Sequence, residues 1–304
     1  MSKYIVCTSI NAPTIAIEKY DAMKDWTLIV VGDLKTPSDY ALSNGVYLDP
    51  KSQEKMGSTL SELIGWNCIQ RRNFGLLHAI NLGADAIAIV DDDNIPLENW
   101  GQEIMLGSSV KSTEFLTEEE AFDPIGATNY PNLWHRGFPL ELIKSRSYEN
   151  KIVKDVVPDI QADFWNGDPD IDAICRLEHR PNCEFSESFF PFSSNKISPF
   201  NSQNTIISRS VAMEYFLYPH VGRMDDIWAS YYVQSKGFKV IYNRPTVFQD
   251  RNEHNLITDM KKEYIGYENN LQLIRDLKNN PESIKTFIPE KSYAAWGEYR
   301  RLII

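Results

Sequence analysis

The sequence is short of basic residues. Lys and Arg together number 31 against 42 Asp and Glu, which gives a formal net charge of −11 at pH 7. Binding to a nucleic-acid backbone requires clustered Lys and Arg that neutralise phosphates, so this balance argues against a nucleic-acid partner. The same acidity means that a phosphate-bearing ligand would need local cations or a bound metal to offset the overall field.

Signatures of membrane insertion and of disulfide bonding are also missing. No apolar stretch approaches the roughly 20 residues of a membrane span, and the N-terminus enters a strand directly without a signal-peptide pattern. The four cysteines form no Cys-x-x-Cys pair, and Cys7 and Cys68 fall within predicted elements, so we expect buried free thiols. Together these absences predict a cytoplasmic protein.

Several common ligand-binding motifs are absent. The chain has no Gly-x-Gly-x-x-Gly, no Walker loop and no Gly-x-Ser-x-Gly. Residues 168–172 (DPDID) begin like a calcium loop, but Ala173 stands at the sixth position, which requires Gly, and His179 at the twelfth, which requires Glu. The pattern therefore excludes an EF-hand.

What the chain does contain is an alternation of short apolar runs with helical segments. Residues 4–10 and 26–31 are typical of buried strands, and a helix is predicted from the capping-box residues Thr59 and Glu62 to Gly83, followed by a third strand at Ala86–Val90. Three successive βα units indicate an α/β fold with a Rossmann-like, mostly parallel central sheet flanked by helices.

The remainder of the chain is less regular up to residue 204. Residues 101–204 are rich in Pro, Asn, Asp, Ser and aromatics, which is typical of long ordered loops around a ligand. Helices are predicted over 206–217, 226–235 and 258–279, with short strands over 238–242 and 246–248. Since no repeat or linker occurs, we predict a single domain over 1–304, with a nucleotide-binding half at 1–100 and an acceptor-binding half with a C-terminal helix at 101–304.

Three consecutive aspartates, Asp91, Asp92 and Asp93, follow the third strand. Ligands of open α/β sheets bind just beyond the carboxyl ends of the strands. Three carboxylates at that edge would repel one another unless a cation lies there. Mg²⁺ or Mn²⁺ bridging the phosphates of a nucleotide suits such hard oxygen ligands. A solvated loop cap is the alternative, and the position after a buried strand favours the metal site.

Other polar residues flank the same predicted edge. Arg71 and Arg72 precede the aspartate strand, and their guanidinium groups match phosphate oxygens, although a solvated helix face is the alternative. We predict that they balance the phosphates of a nucleotide. The loops after the first two strands are predicted to hold the nucleoside through Thr8, Ser9, Asn11 and Asp33.

A second acidic pair, Asp225 and Asp226, begins a predicted helix. The pair is explained either as helix caps favoured by the helix dipole or as a general base. A paired carboxylate has a raised pKa, which suits a base. Trp228 follows and is predicted to stack on a sugar, which favours the catalytic explanation.

Several segments resemble two known families. The segments WNCIQRRNFG (66–75), the aspartate triplet, GRMDDIWA (222–229) and KKEY (261–264) resemble the reversibly glycosylated polypeptides of plants, also called UDP-arabinopyranose mutases. The segments RGFPL (136–140), GDPDID (167–172) and FNSQNT (200–205) are more similar to the STELLO glycosyltransferases. The resemblance covers most of the chain in order and implies a GT-A fold that uses a UDP-sugar with Mn²⁺ or Mg²⁺.

The resemblance also implies roles for individual residues. Asp91 and Asp93 would bind the metal, while Asp91 and Asp92 would contact the donor nucleotide. Asp225 and Asp226 would lie near the acceptor, and one of them would act as base if the reaction inverts the anomeric centre. The residues expected to bind the acceptor or the sugar are Arg136, Asp168, Asn201, Gln203, Asn204 and Trp228.

The third metal ligand departs from the family pattern. The mutases carry a His just after the last strand, where this chain has Asp250, with His254 slightly later. Either residue is a candidate for completing the metal shell, although a lone His is more often structural.

The sequence thus predicts a metal-dependent glycosyltransferase that moves a sugar from a nucleoside diphosphate, UDP by resemblance, to a carbohydrate acceptor. Because the chain has no transmembrane segment like that of the STELLO proteins, we expect a role in surface-polysaccharide synthesis. The alternatives are a UDP-sugar mutase that interconverts pyranose and furanose forms, and a non-catalytic protein that binds nucleotide sugars.

Overall fold

Four parallel strands form the N-terminal half of the computed structural model, which describes residues 1–249 and 255–304. They are β1 (Lys3–Thr8), β2 (Thr27–Val31), β3 (Val46–Leu48) and β4 (Ala86–Val90), arranged β3-β2-β1-β4. The helices of this half are α1 (Ile15–Asp21), α2 (Pro50–Met56), α3 (Ser58–Ile64) and α4 (Arg72–Asn81). Every residue of β4 is buried, as expected for a strand covered on both faces.

The second half extends the same sheet with strands of both directions. In the described residues the order continues from β4 through β10 (Asn204–Ser208), β8 (Ile160–Gly167), β11 (Val240–Gln249), β9 (Phe192–Ser194), β6 (Val110–Phe115) and β7 (Lys151–Val156), while β5 (Asn94–Pro96) pairs with the end of β11. The helices are α5 (Ala173–His179), α6 (Arg209–Ala212), α7 (Asp225–Ser235), α8 (Leu256–Asn279), α9 (Ile284–Phe287) and α10 (Glu290–Arg301). The predicted α/β class is confirmed.

The direction of the strands brings distant segments to one edge of the sheet. The parallel strands β1, β2 and β4 end there, and β10, which is antiparallel to β4, begins there with Asn204 opposite Val90. The polar loops after β1, β2 and β4 therefore meet the segment before β10.

Several predicted elements have different bounds. The single helix predicted from Thr59 to Gly83 is broken into α3, a 3₁₀ turn at Ile69–Arg71 and α4. Gly65 (φ +83°) and Asn67 (φ 57°) adopt left-handed conformations that end the first helix. The capping box is also wrong, because α3 has no side-chain cap.

The helix predicted over 206–217 is likewise wrong at its start. Ile206 and Ile207 lie in β10, between β4 and β8, where β-branched side chains pack well. The two short strands predicted over 238–248 are one strand, β11, with an irregularity between Asn243 and Val247. Helices α7 and α8 confirm the predictions for 226–235 and 258–279.

The irregular stretch predicted over 101–204 contains four strands, β6 to β9, and helix α5. Of these strands, β8 occupies the middle of the sheet between β10 and β11. Within residues 1–249 and 255–304, none of the helices has the length and apolar character that spanning a bilayer demands.

Candidate active site

A cleft of about 570 Å³ opens at the sheet edge where the loops after β1, β2 and β4 meet the segment before β10. This volume is within the range of small-molecule sites. Both halves of the chain contribute to its wall. Six of the predicted site residues line it: Asp91, Asp93, Arg136, Gln203, Asp225 and Asp226.

Asp92 joins the loop after β4 to the loop after β1. Its carboxylate accepts hydrogen bonds from Ser9 Oγ at 2.6 Å and from Asn11 Nδ2 at 3.2 Å. Its backbone carbonyl accepts from Thr14 Oγ1 at 2.5 Å. These bonds hold the loop after β4 against the loop after β1. They bring together Ser9, Asn11 and Asp92, which were all predicted to bind the donor nucleotide.

Arg72 lies beneath Asp91 and is fully buried. Its Nη2 donates to Asp91 Oδ1 at 2.6 Å and to Thr8 Oγ1 at 3.0 Å. Its Nη1 donates to the carbonyl of Ser202 at 2.7 Å and to Ser202 Oγ at 2.9 Å. Arg72 therefore neutralises and orients Asp91, and its predicted role in balancing phosphates remains a prediction.

Arg71 points into a different part of the molecule. Its Nε donates to Gln53 Oε1 at 2.7 Å and its Nη1 to Ser61 Oγ at 3.0 Å. Its guanidinium stacks on Trp66, 3.6 Å from the ring centre. Burial lowers the pKa of Arg71 to about 10. The guanidinium thus connects α2 and α3, and Arg71 is not among the residues that line the cleft, so its contact with phosphates remains a prediction.

Asp33 follows β2 and is buried. Its two carboxylate oxygens accept from the backbone N–H of Leu34 at 2.6 Å and of Cys68 at 3.1 Å. Cys68 lies on the cleft wall, so Asp33 holds that wall against the end of β2. Its contact with a nucleoside remains a prediction.

Asp91 and Asp93 are the acidic residues of the triplet that face the cleft. Mg²⁺ in nucleotide sites is usually held by one or two carboxylates, with substrate phosphates and water completing the octahedron. This donor set fits such an ion. Within the described ranges 1–249 and 255–304, no group of three or more His, Cys, Asp or Glu side chains is arranged to hold a metal, so the protein ligands proposed here are the two carboxylates Asp91 and Asp93. Asp250 and His254 lie outside the described residues.

Arg136 joins two buried carboxylates, Asp170 and Asp226. Its Nε and Nη2 bind the two oxygens of Asp170 at 2.8 and 2.9 Å. Its Nη1 and Nη2 bind the two oxygens of Asp226 at 3.0 and 3.1 Å. Burial alone would raise the pKa of Asp226, but Arg136 outweighs it and holds that pKa below its ordinary value. Asp226 is therefore a fixed anion at the start of α7.

Asp225 has a contrasting environment. It is buried, and Gln70 Nε2 donates to its Oδ2 at 2.8 Å. Burial, followed by the charge of the adjacent Asp226, raises the pKa of Asp225 to about 7. Two neighbouring carboxylates whose pKa values are driven apart can divide acid–base roles, one staying ionised and the other exchanging protons near neutral pH.

Three residues predicted to bind the acceptor are engaged in the protein interior. The Trp228 ring is fully buried between α7 and α8, and its Nε1 donates to Asn270 Oδ1 at 2.8 Å. Asn204 accepts from Trp100 Nε1 at 3.0 Å, and Asn201 donates to Asp170 at 2.9 Å. The polar groups of Trp228, Asn204 and Asn201 are thus satisfied inside the protein, and their sugar contacts remain predictions.

Asp168 and Gln203 have different positions. Asp168 follows β8 and forms an ion pair with Arg176, so its carboxylate is compensated within the chain. Gln203 lines the cleft directly. Of the residues predicted to bind the acceptor or the sugar, Arg136 and Gln203 line the cleft, and Gln203 is the uncharged one.

The cleft wall also contains residues that were not predicted as site residues. Gln70, Ser202, Arg223 and Lys262 all line it. Each lies within a segment that carries the family resemblance, and this was the available signal. Arg223 binds Glu263 Oε1 at 2.8 Å, whereas exposed Lys262 has no ion pair in the part of the chain that the structure describes. Lys262 therefore offers a cationic group at the mouth of the cleft.

Comparisons with known proteins give sequence relatives in a plant. No protein-family model matches the chain. The chain is 24% identical over 298 residues to the "Probable glycosyltransferase STELLO2" of Arabidopsis thaliana, covering 87% of this chain and 38% of that protein. It is 23% identical over 252 residues to the "Probable glycosyltransferase STELLO1" of the same plant, covering 76% of this chain and 33% of that protein. The chain thus spans little more than a third of these curated relatives.

Solved structures of glucosyl-3-phosphoglycerate synthase from Mycobacterium tuberculosis align with most of the chain. The complex with Mn²⁺ and UDP-glucose is 11% identical, covers 89% of this chain and 79% of that chain, and has a TM-score of 0.44. The complex that also holds phosphoglyceric acid is 11% identical, covers 91% of this chain and 80% of that chain, and has a TM-score of 0.45.

The resemblance to the mutases stays a prediction. The predicted resemblance to the STELLO glycosyltransferases is confirmed by the sequence similarity.

Proposed function

We propose that this chain is a GT-A glycosyltransferase that moves a sugar from a UDP donor to a carbohydrate acceptor with Mn²⁺ or Mg²⁺. One observation carries the proposal: Asp91 and Asp93 line the same cleft as Asp225, whose pKa is about 7. Metal-binding carboxylates and a base tuned to neutral pH are the two groups that an inverting sugar transfer requires. The similarity to proteins named glycosyltransferases supports it.

The donor side of the cleft would hold the metal and the diphosphate. Asp91 and Asp93 would ligate the ion, which when bound would neutralise charge that develops on the departing diphosphate. Arg72 holds Asp91 in place by the 2.6 Å ion pair. Lys262 adds a positive charge at the cleft mouth, where it would offset the acidity of the chain around an anionic donor.

The acceptor side would carry the proton transfer. As the acceptor hydroxyl oxygen forms a bond to the anomeric carbon, the bond from that carbon to the phosphate oxygen breaks and its electron pair leaves with UDP. The Asp225 carboxylate takes the hydroxyl proton. Asp226 stays ionised because Arg136 binds it through two hydrogen bonds, so it does not compete for the proton.

Calorimetry with UDP, with and without Mn²⁺, tests the donor site. We expect UDP binding that strengthens at least tenfold with Mn²⁺, and we expect Asp93→Ala to remove that enhancement because the ion loses a ligand. Asp276→Ala, on α8 and outside the cleft lining, is the matched control and should bind like the wild type. Unchanged Mn²⁺-dependent binding by Asp93→Ala would show that the metal site is wrongly assigned.

Incubation with UDP-sugars separates the alternatives. Release of UDP only when an oligosaccharide acceptor is present supports a transferase. An isomerised UDP-sugar formed without acceptor would instead identify a mutase, and UDP binding with neither product would identify a binding protein. The cytoplasmic location and the role in surface-polysaccharide synthesis remain predictions.

A further inference from the structure

Strand β7 forms one outer edge of the sheet. It pairs with β6 on one side, and within residues 1–249 and 255–304 no other strand pairs with its second side. Residues 151–155 are all exposed, including Ile152 at 45% and Val153 at 62%. An exposed edge with apolar side chains is a template for pairing with another strand.

The backbone pattern shows which residues have free hydrogen-bonding groups. Leu116 N–H donates to the carbonyl of Asn150 at 2.9 Å, in the register that places Glu114 opposite Ile152. Hydrogen-bonded and non-hydrogen-bonded pairs alternate along an antiparallel ladder. Residues 150, 152 and 154 therefore bond to β6, while the backbone groups of Lys151, Val153 and Asp155 point outward.

These three residues are self-complementary under a two-fold axis. If Val153 lies opposite Val153 of a second copy in an antiparallel pair, Lys151 of each chain lies opposite Asp155 of the other. All three outward residues then form hydrogen-bonded pairs. A slip of two residues in either direction would place Lys151 opposite Val153 or Val157, and both charge pairs would be lost.

We propose that β7 pairs antiparallel with β7 of a second copy of this chain, in the register centred on Val153, and so joins two sheets into one. Asp155 also lies opposite Lys111 on β6, so in the dimer it is flanked by Lys111 of its own chain and Lys151 of the second copy. Opposite charges directly across neighbouring strands stabilise their pairing.

The other face of the strand suits the same arrangement. Ile152 of one copy would lie opposite Lys154 of the other, whose aliphatic stem can cover the isoleucine while its ammonium stays at Glu114, 2.7 Å away in the same chain. The charged head thus remains paired, and the exposed apolar surface of Ile152 is reduced.

Sedimentation velocity of the full chain over a wide concentration range tests the proposal. We expect the wild type to reach twice the mass of one chain in a concentration-dependent manner. Val153→Pro removes only an outward-pointing N–H, so it should keep the wild-type circular dichroism and stay monomeric. A wild type that remains monomeric at 100 µM, on the order of 10⁻⁴ M, would overturn the proposal, as would a dimeric, folded Val153→Pro.

A charge exchange tests the register. Lys151→Asp places two carboxylates opposite each other at each end of the pair and should weaken dimerisation at least fivefold. The double variant Lys151→Asp, Asp155→Lys restores opposite charges between the two copies and should recover part of the dimerisation, because the pairing of Asp155 with Lys111 of its own chain is lost. Lys285→Asp, an equal charge change on α9, is the control and should dimerise normally. If the double variant is no better than the single one, this register is excluded.

Discussion

Replacing Asp225 by Asn lowers kcat by about 10²–10⁴-fold, the usual contribution of a general base. The variant keeps its Mn²⁺-dependent affinity for UDP, because the proposed metal ligands are Asp91 and Asp93 and not Asp225. Since Asn can still accept the hydrogen bond from Gln70, the local structure is retained. Initial rates of UDP release with an acceptor present, together with calorimetry, measure the two effects separately.

The pH profile of the wild type provides a second measure. Burial, and then the charge of Asp226, raises the pKa of Asp225 to about 7, so the base is increasingly protonated below neutral pH. We expect kcat/KM to rise with pH through about 7 in the wild type and to lose this step in Asp225→Asn. A variant with wild-type activity would exclude Asp225 as the base, and would favour a retaining reaction or a mutase.

The same substitution has an opposite effect on stability. Because folding raises the pKa of Asp225 above its ordinary 3.8, the charged carboxylate disfavours the folded state, increasingly from about pH 4 up to its folded pKa and constantly above it. At pH 8 Asp225→Asn should therefore raise the free energy of unfolding, by up to about 4 kcal/mol. Below about pH 4 the two proteins should be equally stable. Urea denaturation at both pH values checks this.

Replacing Arg136 by Met lowers the free energy of unfolding by at least about 3–5 kcal/mol at pH 7. The substitution leaves Asp170 and Asp226 buried without the guanidinium that binds both of them. Arg136→Lys should lie between the wild type and Arg136→Met, because an ammonium keeps the charge but cannot form two bidentate pairs. Urea denaturation followed by circular dichroism measures the difference.

The difference in the free energy of unfolding between the wild type and Arg136→Met should become smaller at acidic pH. In the wild type Arg136 holds the pKa of Asp226 low, so this carboxylate contributes stability above its unfolded pKa and loses it as the pH falls through its folded pKa. In the variant, burial without a counter-ion leaves a carboxyl that is readily protonated. Exposed Arg301→Met is the control and should unfold like the wild type. If the loss of stability in Arg136→Met does not depend on pH, the loss comes from packing and not from the charge of Asp226.

The placement of the acidic residues was predictable from the sequence, and physical rules explain why. A fully buried strand has a continuous apolar run, and polar residues that follow such a run must lie at the edge of the sheet. Asp91 and Asp93 satisfy this rule. Asp225 and Asp226 were recognisable as a pair, but the low pKa of Asp226 beside the raised pKa of Asp225 depends on Arg136, which is some 90 residues away in the chain.

The roles of neighbouring arginines were not predictable. Successive residues on a helix point about 100° apart, so Arg71 and Arg72 face different surroundings, and local sequence does not specify which of them lies toward the cleft. The burial of Trp228 was unpredictable for a related reason. Helix α7 is buried around nearly its whole circumference, so an aromatic residue next to the acidic pair belongs to the core. The helix expected at Ile206 shows that a short apolar run fits a helix and a buried strand equally well.

Ser202 connects the two sides of the cleft that the proposed reaction would use. It accepts hydrogen bonds from Arg72, which holds Asp91, and its own N–H donates to Asp226 at 3.0 Å, next to Asp225. Under the proposed function, a residue that would bind the metal and the residue that would take the proton are thus connected through Ser202. The distance between them is fixed before any substrate binds, so we expect only acceptors whose hydroxyl fits that distance to reach Asp225.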